Sequence, residues 1–292
     1  MRVVTEGQRD MESARSRSLR MIAVLSFVLF GSNAYAAGPG DNPTSLPNPA
    51  EAPVEAQPKP DFVSTYAGGE FVNESNLAYV GFDMALNGDL SRRGFVLSGY
   101  GGFGNYQYPS STIPKGTIHS DFTELSASLG YQVYVGSVSL LAYGGVDYQN
   151  NDLSPPDPTN PVSGSETNFI AGGAIERRQW DKPLYFKFSG NYTIANKSYW
   201  SKGRIGYNFG KVIIGPEGAA YGNETFNSER AGAFITFPLR WGLSMDASGG
   251  FNFVANKQFF ETIGTSVETL SFGGLGGLTN GGYGHVSISR SF

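Results

Sequence analysis

From Asp61 to Phe292 the chain alternates apolar and polar residues with a period of two, in one segment after another. No stretch after residue 36 approaches the roughly 20 apolar residues that a membrane-spanning helix needs. A period of two belongs to strands with unlike faces. Leu125, Ala127, Leu129, Tyr131 and Val133 alternate with Glu124, Ser126, Ser128, Gly130 and Gln132, and Leu184, Phe186 and Phe188 alternate with Tyr185, Lys187 and Ser189. The last eleven residues repeat the pattern. Tyr283, His285, Ser287, Ser289 and Ser291 share one parity, against Val286, Ile288, Arg290 and the final Phe292. A soluble antiparallel sheet with one wet face alternates in the same way, but its wet face lies outermost. Segment lengths near the 9 to 11 residues of a tilted membrane strand, an aromatic last residue and an export signal favour the opposite arrangement.

Twelve candidate strands lie near residues 62–71, 76–86, 95–108, 122–134, 137–149, 167–176, 184–193, 199–209, 212–221, 230–239, 243–253 and 281–292. Short connections such as Val135-Gly136, Gly210-Lys211 and 240–242 contrast with longer ones at 109–121, 150–166 and 254–280. The fold class predicted is all-β, a closed antiparallel transmembrane β-barrel of about 12 strands (roughly 10 to 14), with short periplasmic turns and longer extracellular loops. Forty glycines and no cysteine fit a curved sheet whose rigidity comes from closure and not from disulfides.

Arg15, Arg17 and Arg20 precede an apolar run from Met21 to Phe30 and a small-residue cleavage pattern, Ala34-Tyr35-Ala36, so residues 1–36 read as a signal peptide. Residues 37–60 carry seven prolines and almost no large apolar side chain, and read as a disordered periplasmic leader. The barrel then occupies 61–292. The expected location is the cell outer membrane, with outer-membrane lipid and the barrel-assembly machinery as partners, Phe292 as the assembly signal, and a monomeric state. The formal charge of −4 becomes about −6 once residues 1–36 are removed, because they carry five arginines against three acids. No basic surface for nucleic acid exists.

Strand parity sorts the side chains. Outward tyrosines form two girdles, Tyr148, Tyr192 and Tyr199 at the extracellular ends and Tyr131 and Tyr207 at the periplasmic ends. The inward parity collects Asp83, Glu124, Asp147, Glu176, Lys187, Lys202, Arg204 and Glu217, together with Arg230 and the tyrosines 79, 100, 106, 143 and 221. Two registers follow from two turns. With Gly210-Lys211 as a two-residue turn, Arg204 stands opposite Glu217; with Val135-Gly136 as the turn, Glu124 stands opposite Asp147. The first is an ion pair. The second is a pair of like charges that needs a cation, a neighbouring base or a proton to relieve it.

Outer-membrane barrels include lipid-modifying enzymes, but catalysis by a serine needs a histidine within reach and a third group to orient it. Only His119, in a predicted loop, and His285, in the lumen, are present. The sequence therefore assigns no catalytic, metal or cofactor residues. For carbohydrate, the flat faces of Trp200, Tyr100, Tyr106, Tyr143 and Tyr221 are the stacking candidates, whereas Trp180 and Trp241 sit in predicted short turns as interfacial anchors.

Four stretches resemble the BcsS-type cellulose biosynthesis proteins, a family of outer-membrane barrels. They are Tyr66-Ala-Gly-Gly-Glu70; Asn151-Asp-Leu-Ser-Pro-Pro-Asp-Pro158 followed by Gly164; Ser198-Tyr-Trp-Ser-Lys-Gly-Arg-Ile-Gly-Tyr207; and Gly215-Pro-Glu-Gly218 running on to Gly222-Asn223 and Arg230-Ala-Gly-Ala-Phe234. Pro156 stands where the loop motif has an acidic residue. The resemblance implies a non-enzymatic accessory role in making or exporting cellulose or a related exopolysaccharide. Its implied partners are cellulose itself or the cellulose synthase and export complex. A general channel for small sugars or anions is the alternative, and a lipid-modifying enzyme the third reading.

Overall fold

The structure is a computed structural model that describes residues 60–109, 116–158, 160–177, 183–224, 226–256 and 280–292. The signal segment, the leader up to residue 59, Trp180 and most of the connection after 254 fall outside the described residues.

Twelve strands follow one another: β1 (Val63–Val72), β2 (Ser75–Ala85), β3 (Gly94–Pro109), β4 (Thr117–Val135), β5 (Val138–Ser154), β6 (Gly164–Arg177), β7 (Leu184–Thr193), β8 (Tyr199–Asn208), β9 (Ile213–Gly222), β10 (Phe226–Pro238), β11 (Leu243–Asn256) and β12 (Gly281–Ser291). Each pairs antiparallel with its neighbours in sequence, and β12 returns to β1 to close the barrel. The even strand count lets β12 run antiparallel to β1, and at that seam lumen-facing Glu70 pairs with lumen-facing His285. Following the registers once round the wall returns to β1 about 14 residues along the strand, a shear that tilts twelve strands by about 40°. No helix among the described residues is long and apolar enough to cross a membrane; the barrel crosses with strands.

The alternation does what the sequence requires of it. Phe71, Phe82, Leu125, Leu129, Phe188 and Ile205 stand outward and exposed, and Phe169 is 69% exposed. Inward, Asp147, Arg204, Glu217, Arg230 and His285 are all buried. Outer exposure with inner burial inverts a soluble protein and suits a wall bathed in lipid. Aromatic and charged side chains crowd the lumen. Glycines make room for them: Tyr66 lies over Gly81, Tyr79 over Gly68 and Tyr143 over Gly172, where a methyl group would collide with each ring. Near the end that carries the termini, Tyr185, Ile213 and Phe234 form a small apolar floor.

The strand ends correct two expectations. β4 starts at Thr117 and β5 runs to Ser154, so much of what reads as loop at 109–121 and 150–166 continues the sheet, and His119 lies in a strand. β3, β4 and β5 span 16, 19 and 17 residues against 10 each in β7, β8 and β9. That surplus projects roughly 20 Å along the strands at the far end. The connection from β5 to β6 folds over this raised wall: Tyr108 donates to Asp157 Oδ2 at 3.1 Å, Asn160 Nδ2 donates to the Tyr108 hydroxyl at 2.7 Å, and Val162 is buried with Ile118 and Leu153. The motif residues of that loop thus cap a wall and do not dangle.

At the seam, Phe292 N–H donates to Val63 C=O at 2.8 Å. The Arg290 guanidinium sits 4.5 Å above the Phe292 ring, a cation–π contact that accounts for a charge on an outward position. In the turn after β2, Asp89 Oδ1 accepts from the Ser91 hydroxyl at 2.6 Å and the Ser91 N–H at 2.8 Å, and Arg92 pairs with Oδ2 at 2.9 Å. The Ser91 hydroxyl first, then its N–H and the Arg92 charge, hold the Asp89 carboxyl below its ordinary range.

Candidate functional site in the barrel lumen

The turn joining β8 to β9 sets the first contact. Gly210 takes φ +90, its N–H donates to Asn208 Oδ1 at 2.8 Å, and Phe209 N–H closes onto Val212 C=O at 2.8 Å. A side chain at Gly210 would strain that φ. The pairing that grows from this turn places Arg204 opposite Glu217, as the sequence predicts, and Pro216 on the outer face leaves the register unshifted, since Tyr207 pairs with Ile214 beyond it.

Around that pair a network gathers from strands that are not neighbours. Arg204 Nε bonds Glu217 Oε2, and its NH1 reaches Asp246 Oδ2 on β11 at 2.8 Å. Lys202 Nζ lies 3.5 Å from Glu217 Oε2, and Glu217 Oε1 accepts from Ser248 at 3.0 Å and Tyr283 at 3.2 Å. Thr236 donates to Asp246 Oδ2 at 2.6 Å. Arg230 on β10 pairs with Glu70 on β1 at 2.6 Å, donates to Asn252 Oδ1 at 3.1 Å and to the Tyr221 hydroxyl at 2.7 Å, and stands 4.3 Å over the Tyr221 ring. Three bases, Lys202, Arg204 and Arg230, meet three acids, Glu70, Glu217 and Asp246. Such groups keep their charge away from water only because each finds a partner.

A ladder of rings leans on the network. Tyr79 stacks on Tyr100 at 6.1 Å and on His285 at 6.0 Å, Tyr66 tilts against Tyr79 at 6.3 Å, and the Tyr79 hydroxyl is 2.6 Å from His285 Nε2. His285 Nδ1 points towards Asp246 Oδ1 at 3.7 Å. Among the described residues no serine is hydrogen-bonded to His285.

The remaining predicted lumen residues fall on the inner face. Asp83 accepts from Ser98 at 2.6 Å, and Lys187 pairs with Glu176 at 3.3 Å. One register differs from expectation: Glu124 stands opposite Gln149 and Asp147 opposite Ser126, so Glu124 and Asp147 are diagonal and not directly opposed. The turn is Gly136-Ser137, with Gly136 at φ +59, and Val135 pairs with Val138. Sliding a two-residue turn by one position moves partners by two and leaves every face unchanged.

Of the stacking candidates, Tyr100 is covered by Tyr79, Tyr106 stacks on Tyr108 at 6.2 Å and donates to Asn151 Oδ1, Tyr143 packs over Gly172, and Tyr221 lies under Arg230. Trp200, between Asn191 and Tyr221 on the neighbouring strands, keeps 37% of its surface open. Sequence reading leaves Glu70, Asp246 and Tyr283 out of the site. The alternation of Ser244, Asp246 and Ser248 against Met245, Ala247 and Gly249 is the signal by which Asp246 could have been found.

Comparison with solved structures finds barrels of the same kind at very low identity. The COG4313 outer membrane channel from Pseudomonas putida F1 is 11% identical with a TM-score of 0.50, over 83% of this chain and 100% of that one. The translocator domain of the autotransporter NalP from Neisseria meningitidis is 10% identical with a TM-score of 0.45, over 98% of each chain. A KdgM porin is 12% identical with a TM-score of 0.43, over 78% of this chain and 99% of that one. At these identities the likeness concerns the outer-membrane-type fold alone. No curated protein matches the chain in sequence. The family described as cellulose biosynthesis protein BcsS matches residues 64–292, from the start of β1 to Phe292. With its closed twelve-stranded wall and a lumen occupied by interlocked ion pairs, the chain belongs to the BcsS family of cellulose biosynthesis proteins.

Proposed function

We propose that the chain is a non-catalytic outer-membrane accessory of cellulose production, with the termini of its barrel in the periplasm and the raised β3–β6 wall outside. The observation that carries this reading is the family match over the whole barrel. The ion-pair network inside the lumen supports an accessory role over a sieving one. Arg204, Glu217, Asp246, Arg230 and Glu70 occupy its cross-section from β8 round to β1, in the path that a glucan chain would take. A channel for anions is disfavoured further, because Asp83, Glu124, Asp147 and Glu166 face the lumen and none of them forms an ion pair among the described residues. Trp200, open on the low side of the far mouth, is the side chain that a sugar ring can reach.

The test is genetic. In a strain that makes cellulose, deletion of this gene should lower dye-binding surface polymer and the wild-type gene should restore it, with uptake of small sugars unchanged. Cellulose at wild-type level in the deletion strain overturns the proposal.

A further inference from the structure

Of the lumen-facing carboxylates that no base among the described residues serves, two lie side by side. Glu124 on β4 and Asp147 on β5 face inward, diagonal to one another across the ladder. Among the described residues the lumen-facing lysines and arginines are committed elsewhere: Lys187 to Glu176, Lys202 and Arg204 to Glu217, and Arg230 to Glu70. Asp147 is 0% exposed. Its Oδ2 accepts from Gln149 Nε2 at 2.8 Å and from Thr193 Oγ1 at 3.3 Å, whereas Oδ1 is buried with no partner. A buried anionic oxygen without a donor is costly, and a second carboxylate beside it raises that cost.

We propose that Glu124 and Asp147 together bind a hard cation of the calcium type on the β4–β5 wall. The donors are carboxylate oxygens, Asp147 Oδ1 among them, and Glu166 continues the same row on β6 beyond Gln149, the residue paired with Glu124. Oxygen donors select hard ions over the softer metals that prefer sulfur or imidazole. Among the described residues no three acidic or histidine side chains converge tightly enough to chelate an ion alone. The site therefore holds its cation by two carboxylates, with water completing the shell, as large flexible coordination spheres allow. Glu124 is only partly buried, so an ion reaches the site through the lumen.

Terbium(III) tests this directly, because its emission is sensitised by nearby aromatic rings and Tyr100 and Tyr143 line the same wall. The full-length barrel in detergent, stripped with a chelator, is titrated with terbium and then challenged with calcium. Saturable emission at one ion per barrel, displaced by calcium, is expected for the wild type. Glu124→Gln and Asp147→Asn should each weaken it about tenfold or more, and exposed Asp152→Asn should not. Retained heat-modifiable migration on a gel shows that each variant is folded. Glu124 makes no side-chain hydrogen bond among the described residues, so Glu124→Gln carries the test even where Asp147→Asn fails to fold. Absence of saturable emission, the outcome if the two carboxylates share a proton instead, overturns the proposal, as does emission unchanged in Glu124→Gln.

Discussion

Replacing Glu217 with leucine should be among the most damaging single changes in the lumen. Glu217 is 4% exposed and meets Arg204, Lys202, Ser248 and Tyr283. Leucine leaves Lys202 without its carboxylate, whereas Arg204 retains Asp246 at 2.8 Å. Breaking a buried ion pair from one side costs about 3–5 kcal/mol, a factor of a hundred or more in the folding equilibrium. Glu217→Gln keeps the shape and an acceptor for the Ser248 and Tyr283 hydroxyls, and should cost less, about 1–3 kcal/mol. Glu176 supplies the control. Its partner Lys187 is 38% exposed at the side chain, so Glu176→Gln should fall in the range of a solvated pair, about 0–1 kcal/mol. Urea titration of barrels refolded into phospholipid vesicles, followed by tryptophan fluorescence and by heat-modifiable migration, measures all three. If Glu217→Leu costs no more than Glu176→Gln, the network is wet and the reasoning fails. If Glu217→Gln folds normally yet abolishes surface cellulose, the pair serves the polymer as well as the wall.

Two further outcomes follow from features nearer the turns and seam. Gly68→Ala places a methyl about 2.5 Å from the Tyr79 hydroxyl and 2.7 Å from the Val286 carbonyl, so it should destabilise the barrel by about 1–3 kcal/mol, and pairing it with Tyr79→Phe should recover little because the carbonyl stays in place. The carboxyl of Asp89 is held below its ordinary range, so its contribution is present above the unfolded-state value near 3.9 and fades as pH falls through the lower folded value. The stability difference between wild type and Asp89→Asn should therefore be constant above about pH 5 and shrink in acid; a difference that grows in acid would contradict the contact with Ser91.

Strand number, faces and girdles were legible because each depends on parity alone. Tyr192 and Tyr207 are exposed on the outer wall at 49% and 55%, and the inward acids and bases are where alternation puts them. Registers were legible only through turns. Gly210-Lys211 admitted one reading and gave the Arg204–Glu217 pair, whereas Gly136 fitted a turn with either neighbour, and the partner of Glu124 came out two residues away. Contacts across the lumen were not legible at all. Arg230 meets Glu70, and Arg204 meets Asp246, over strands three apart in the ring, a proximity that depends on the barrel's radius and on side-chain reach. Nor does alternation say where pairing stops, which is why β4 and β5 outran their predicted ends.

The unequal strand lengths give the barrel a direction sideways as well as lengthwise. On the β7–β9 side the outward rings of Tyr192 and Tyr199 lie at the strand tips, so the sheet ends at the depth where aromatic rings settle among headgroups. On the β3–β5 side it continues well past that depth and carries its cap of Asp157 and Asn160. The mouth is thus a weir with one bank cut down to the membrane plane, and a molecule resting on Trp200 has its lowest exit across the bilayer surface towards whatever lies alongside, with a parapet at its back.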